Sequence, residues 1–546
     1  MRKSGVAPTN DVTMKLRRRS LLAAAASLPL AACRRAAEPH YGGGWVGAQH
    51  ERGHKLRDLK SGSLPQPTVQ RRVGVLIVGA GVAGLACARA LAKGNVDDVH
   101  LLDLEDVAGG NSRSHQIAGM ACPLGAHYLP VPGEQATEVI ELLEELGLSR
   151  IEHGKRIYDE RHLCHSPQER LFIDGQWQEG LLPVQGQDEE TLAQYRRFSV
   201  AVAQAGETLG FSIPTARSLW TAGHQALDAV TFNTWLDAQG FKAAALRGYL
   251  DYCCRDDYGA GSAQVSAWAG LHYFASRHGF RAPGSHDAEE RDGILTWPQG
   301  NAWLTERLVT PLRERLHGGK VVLRVDEGRH DVTVDVWDAR EQRAERWTAA
   351  QTVLATPLFI AARLMASVPS ALQAAASQMR YAPWLVANLH VDDVLHDLGG
   401  APPSWDNVIH GSASLGYVNA MHQSTRPYPG PTVLTSYWAL GGDTPAQLQA
   451  QRARLLSEDW ATWSRTVLDD LSSAHPDLPA KVKRIDLMRY GHAMSIPLPG
   501  VRGSEALKAL SQTKGRVRFA HSDLSGYSVF EEAYFRGHQV GRQLTR

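Results

Sequence analysis

Val75-Leu76-Ile77-Val78-Gly79-Ala80-Gly81-Val82-Ala83-Gly84 decides the fold of this chain. Four consecutive apolar residues suit a strand buried on both faces of a parallel sheet. They run into G-x-G-x-x-G, and Leu85 to Lys93 then reads as an Ala-rich helix stopped at Gly94-Asn95. Strand, glycine turn and helix in that order suit a dinucleotide. Gly79 permits the tight turn, Gly81 lets the backbone approach a pyrophosphate, and Gly84 lets the helix pack closely on the strand. The helix N-terminus offers N–H groups and a partial positive charge to the phosphates. A second strand, Val99-His100-Leu101-Leu102, ends on Asp103, 24 residues after Gly79, a spacing that suits a carboxylate accepting from a ribose diol. Gly79, Gly81, Ala83, Gly84 and Asp103 are therefore the expected dinucleotide contacts.

That motif alone does not choose between NAD and FAD. Two further segments do. Asp103 is followed by Ala108-Gly109-Gly110-Asn111-Ser112-Arg113-Ser114 and Pro123-Leu124-Gly125-Ala126-His127-Tyr128. Near the C-terminus, Val517-Arg518-Phe519-Ala520 leads through Asp523 to Gly526-Tyr527-Ser528 and a helical segment from about Phe530. Together these resemble the flavin-containing amine oxidoreductase superfamily, which includes monoamine and polyamine oxidases, protoporphyrinogen oxidase and carotenoid desaturases. The resemblance implies FAD as cofactor, lined by Gly109, Gly110, Arg113, Gly125, Ala126, Asp523, Tyr527 and Ser528. Trp297-Pro298-Gln299-Gly300-Asn301 looks like the family's Pro-x-Gly-Gly segment with Asn301 as second glycine. The family's Gly-Gly-Arg is here Gly110-Asn111, so Arg113 is expected to supply the guanidinium. Ala520-His521-Ser522-Asp523 is one residue longer than the family's Ala-Gly-acid, and Glu532-Ala533 replaces Gly-Ala.

The implied fold class is α/β: a Rossmann-like, glutathione-reductase-like FAD-binding domain interleaved with a mixed α+β substrate domain. FAD-domain segments are expected at 71–130, 290–365 and 485–546, and substrate-domain segments at 131–289 and 366–484. Glu134 to Leu146 reads as an amphipathic helix, and Asp443-Thr444-Pro445 as the cap and first turn of another.

Ahead of all this stands an address. Arg18-Arg19-Ser20-Leu21-Leu22 resembles a twin-arginine export signal, and the apolar stretch to Ala32 is too short for a membrane span. Leu30-Ala31-Ala32-Cys33 resembles a lipobox, making Cys33 the expected lipidation site after a 1–33 signal peptide. Residues 34–70 read as a tether. The expectation is a periplasm-side protein, exported folded and held at a membrane by lipid.

The whole chain has 58 bases and 57 acids, but six bases and one acid precede Cys33, which leaves the body at −4. That balance argues against a nucleic-acid partner. With 43% hydrophobic and 21% charged residues the chain is globular, and its length calls for two domains. Five cysteines remain after Cys33, which suits no complete disulfide framework, and Cys253-Cys254 read as buried small hydrophobes. His162, Cys164 and His165 lack a second ligand pair at zinc spacing, so no metal is expected.

In amine oxidases the substrate lies between aromatic faces close to the flavin. By motif Tyr527 is one such face, Tyr437 and Trp438 are candidates for another although ordinary core packing suits them too, and His492 is a further catalytic candidate. The family's usual lysine near the reactive flavin nitrogen is missing. The matching stretch, Tyr381 to Leu389, puts Val386 there, or Ala387 with one residue of slip, and Asn388 is the nearest polar group. Three functions fit: an oxidoreductase taking a hydride from an amine, polyamines included; a desaturase acting on an isoprenoid-like substrate; or a lipoprotein that binds flavin or ligand without turnover. For an enzyme, the expected electron acceptor is a quinone or a protein.

Overall fold

In a computed structural model, described over residues 41–58, 64–277, 279–284, 293–426 and 428–545, the opening run is strand Val69–Val78 feeding helix Val82–Lys93. Strand Val99–Leu102 follows and pairs parallel with it, Val75 opposite Val99 and Val78 opposite Leu102. The helix is buried nearly all round, from Val82 to Ala88 and at Ala90 and Leu91, which is why it is built from small apolar residues. Gly84 sits where a Cβ would stand 1.9 Å from the carbonyl oxygen of Gly79, so only glycine brings helix and strand this close.

Those strands belong to a seven-stranded sheet completed by strands from much later in the chain. Strand Arg343–Leu354 lies parallel to Val69–Val78, and its far end also pairs with Val517–Phe519. Antiparallel strands Val332–Asp338 and Lys320–Glu327 extend the same sheet. One face of the sheet is covered by Val82–Lys93, against which helices Phe530–Leu544 and Ala302–Val309 pack, and the other by helices Leu358–Leu364, Ser370–Gln378 and Glu505–Ser511.

A second, eight-stranded sheet carries Val482–Ser495, Tyr381–Val391 and Thr432–Ala439 side by side, all antiparallel. The boundary expected at residue 485 falls inside the first of these strands. Residues 485–495 therefore belong to this sheet, because their partners are Tyr381–Val391, and the sheet with FAD-type glycines is rejoined only at Val517. Helices Glu189–Leu209, Ala244–Tyr258 and Ala267–Ala275 pack together beside it around Phe198, Phe232 and Phe274. The expected cap at Thr444 is present: its hydroxyl accepts from Gln447 N–H and Gln447 reciprocates, opening helix Pro445–Ser457. The helix anticipated at 134–146 runs from Thr137 to Glu145.

The tether expectation needs correcting over residues 43–58. Residues 43–45 add to the edge of the eight-stranded sheet, Val46 N–H donates to the Leu487 carbonyl at 2.9 Å, and His50–Asp58 is a helix. Sequence periodicity misses them because they are held by polar contacts to distant residues. The export signal, the lipobox and Cys33 lie outside the described residues. Among the described residues no helix is long and apolar enough to cross a membrane. Cys253 and Cys254 are free, buried, and their thiols are pushed up by burial, as packing residues should be.

Candidate functional site

A cavity of about 490 Å³ lies between the glycine turn of the first sheet and one face of the second. Gly79, Gly81, Ala83, Asp103, Gly109 and Gly110 line it at the turn, and Gly125, Ala126, Asp523 and Ser528 line it further along. The turn is shaped by contacts that leave the cavity open. Gly109 N–H donates to the Ala80 carbonyl at 2.8 Å, and the Cα of Gly110 is the nearest atom to where a Gly81 Cβ would stand, at 3.7 Å. No side chain caps the helix at Gly81, so its first N–H groups are left for a ligand. Side chains at Gly81 or Gly110 would fill the space that a pyrophosphate needs, and a turn so built fits a dinucleotide.

Asp103 accepts from Ala80 N–H at 2.7 Å and Glu105 N–H at 2.8 Å. Burial nevertheless pushes its carboxyl up to about 6, those two bonds and Arg113 opposing it. Asp523 takes the Leu358 N–H at 2.9 Å and the Tyr381 hydroxyl at 2.6 Å on one oxygen. Burial would raise its pKa, but His521, Tyr381 and the Leu358 amide outweigh that and hold it low. Ser528 lies in the wall with its hydroxyl 3.0 Å from that of Ser495.

Four sequence-derived site residues do not border the cavity as expected. Gly84 packs behind the turn. Arg113 turns away, its Nε donating to the Gly110 carbonyl at 3.0 Å and its guanidinium to the Gly47 carbonyl at 2.8 Å, so it acts on the site through Gly110. Tyr527 is fully buried behind the wall among Tyr258, Trp268 and His272, its hydroxyl donating to Glu532. The C-terminal segment presents Ser528, Val529, Phe530 and Glu531 to the cavity instead. Trp438 points to the other face of its strand from Tyr437, because strand residues alternate, and only Tyr437 lines the cavity.

His492 does line the cavity, but its ring stands against Phe359 at 4.6 Å and near Tyr381, the residue bonded to Asp523. Burial first, then Arg452, Arg363 and His54, push it down to about 4, so it is neutral at pH 7. It lines the same cavity as Tyr490, two residues earlier on the same strand.

The chamber is built on the second sheet. Val386 stands directly opposite Tyr437 and Trp384 opposite Tyr490, and all four line the cavity. Tyr437 donates to the Gly125 carbonyl at 3.0 Å and Tyr490 to the Leu124 carbonyl at 2.9 Å, so two tyrosines pin the Leu124-Gly125 turn. His127 stacks on Tyr437 with centroids 4.3 Å apart, and burial pushes its imidazole down to about 3, so it is an uncharged wall. Asn388 is fully occupied elsewhere, donating to the Pro123 carbonyl and accepting from Thr435.

Sequence reasoning missed the acidic end of this chamber. Asp256, Asp257, Arg277 and Glu531 line it. Arg277 is committed to Asp257 through bonds of 3.0 and 3.2 Å. Burial pushes Asp256 up to about 7, with Asp257 adding to the effect and Arg277 opposing it; its carboxyl is reached from the cavity yet enclosed by protein. Glu531 is likewise pushed up to about 7, chiefly by burial. Asp256-Asp257 reads as an ordinary helix face in the sequence, and only the folding of helix Ala244–Tyr258 against the sheet aims it inward.

Residues 82–545 match the flavin containing amine oxidoreductase family. The chain belongs to it. Among solved structures, wild-type putrescine oxidase bound to putrescine is 17% identical with a TM-score of 0.59, covering 87% of this chain and 99% of its own. Cyclohexylamine oxidase from Brevibacterium oxydans IH-35A is 19% identical with a TM-score of 0.61, at 87% and 98%. A CLA-producing fatty acid isomerase from P. acnes has a TM-score of 0.58 at 15% identity, covering 86% and 98%. Among curated proteins no sequence match is found. As a flavin-containing amine oxidoreductase, the protein is an FAD-dependent oxidoreductase, and its fold is shared with structures whose substrates differ.

Proposed function

We propose that this oxidoreductase takes a hydride from an amine, with FAD held along the glycine turn and the substrate cation held by Asp256 and Glu531. The carrying observation is the acidic end of the chamber, where the cation that lines it among the described residues, Arg277, is already paired with Asp257. FAD, when bound, accepts two electrons from a C–H bond of the substrate. The chain's own residues do the rest. Asp256 and Glu531 bind an ammonium, and the ammonium in turn favours their ionised forms. Tyr437, Trp384 and the neutral His127 give the substrate carbon chain apolar faces and exclude water. An isoprenoid would find no use for two buried carboxylates, which favours the amine.

Anaerobic bleaching of the bound flavin across a panel of diamines, polyamines, monoamines and isoprenoids tests this. Bleaching by cationic amines is expected; bleaching by isoprenoids alone overturns it. Failure of every donor favours a binding protein without turnover.

Electrons are proposed to leave to a quinone or a protein. Val386, the residue that the sequence register puts at the lysine's position, lines the cavity, and a valine gives a reduced-oxygen species neither charge nor hydrogen bond. Reoxidation of the reduced flavin by air should be slow, and Val386→Lys should speed it about tenfold or more. Fast wild-type reoxidation refutes this. Export by the twin-arginine route and a lipid at Cys33 complete the proposal, supported by the order of charge, apolar stretch and small residues in 15–33. Replacing Arg18-Arg19 by Lys-Lys should block export, and Cys33→Ala should release the protein from membranes.

A further inference from the structure

Helix His50–Asp58 precedes the residues that match the family, yet it is built onto the cavity wall. Its sequence, His50-Glu51-Arg52-Gly53-His54-Lys55-Leu56-Arg57-Asp58, has no apolar stripe to bury, and nine residues do not make a stable helix alone. Specific contacts hold it. Glu105, two residues after Asp103, accepts from Gln49 N–H at 3.1 Å at the helix start. Arg52 donates to the Leu104 carbonyl and to Asp106, both at 3.0 Å. On the other side His50 lies 3.3 Å from the Arg489 guanidinium, and Arg489 covers the Trp45 ring. The helix thus joins the loop that follows Asp103 in the first sheet to strand Val482–Ser495 in the second.

Gly53 gives this arrangement a purpose. It lines the cavity beside Leu104, the residue after Asp103. A mid-helix glycine is less favourable than alanine, and nothing among the described residues demands one here. Its φ is ordinary, and a Cβ would meet only Leu104 Cδ1 at 3.9 Å, a normal contact. The remaining claimant on the space is a ligand in the cavity.

We infer that His50–Asp58 is a strap forming part of the FAD site at the Asp103 end, with Gly53 as wall against the cofactor and Arg52 as the positioning residue that keeps the strap closed. The inference rests on reading this cavity as the FAD site. FAD leaves by way of an opened strap, so the strap sets retention more than chemistry.

The test uses the full-length flavoprotein, titrating apoprotein with FAD and following flavin fluorescence after dilution of the holoprotein. Gly53→Leu should weaken FAD binding about tenfold or more by overpacking the site. Arg52→Ala should speed FAD release about fivefold, and Arg52→Lys should restore part of it. Gly53→Ala separates the inference from misfolding: the apoprotein should melt at a higher temperature while FAD binds more weakly. Wild-type affinity and release in both Gly53 variants and in Arg52→Ala overturn the strap. A wild-type protein that binds no FAD overturns the reading beneath it instead.

Discussion

The two ends of the cavity are made of different material. At the turn, Gly79, Gly81, Gly109 and Gly110 offer backbone and open space, with Asp103 beside them. In the chamber, the surfaces are side chains drawn from separated stretches: His127 and Tyr128, Asp256 with Asp257, Arg277, Trp384 with Val386, Tyr437, Tyr490, and Glu531. A backbone site depends on the local path of one turn and tolerates few substitutions. A side-chain site depends on which helices and strands meet, and its parts can be exchanged singly. One end is suited to a constant cofactor and the other to a substrate that differs between relatives.

Four experiments press on that contrast, beginning with the largest expected effect. Gly81→Val places two methyls between Gly110 and the phosphate path. The purified variant should be colourless with unchanged circular dichroism, and a yellow Gly81→Val protein would break the backbone half of the comparison. Asp256→Asn keeps shape and removes charge, so flavin content should stay at wild-type level while KM for a cationic amine rises about 30-fold. An equal loss of flavin would show that the two ends are not separable.

Acidity should act on both ends, on cofactor binding through Asp103, pushed up to about 6, and on substrate binding through the chamber carboxylates. Asp256 and Glu531, pushed up to about 7, bind a cation only when ionised, so KM should fall as pH rises through 7 and level off above it. The same shifts carry an opposite sign for stability. Between the unfolded carboxyl pKa and about 7 the folded apoprotein binds more protons than the unfolded chain, so its melting temperature should drop as pH rises across that window. A bound amine should reverse the trend. The smallest effect is expected from Tyr437→Phe, which frees the Gly125 carbonyl and costs about 1 kcal/mol of stability. A drop of about 1 °C in melting temperature would show it, with the aromatic wall kept.

Much of the cofactor end is legible in the sequence because its determinants are local. G-x-G-x-x-G, the strand before it and the acid after it lie within one βαβ unit, and the glycines act through their own backbone. Tyr527 shows where such reading stops. The turn places it one residue before Ser528, where this segment reaches the cavity, so it faces Glu532 and the core. Arg113 fails in the same way: its charge is near the site, yet its donors are taken by Gly110 and Gly47.

What the sequence determined by itself is the pattern of short-range geometry: a buried parallel strand, a turn that admits phosphate, a helix small enough to pack behind it, and the capped helix at Thr444. Tertiary structure alone decided which carboxylates share a chamber, that Tyr437 and Tyr490 pin the Leu124-Gly125 turn, and that the polar helix at 50–58 covers the Asp103 end. The physical reason is range. Backbone conformation answers to neighbours a few residues away, whereas the titration of Asp256 and the placement of Arg52 answer to groups that only the packing of two sheets brings within reach.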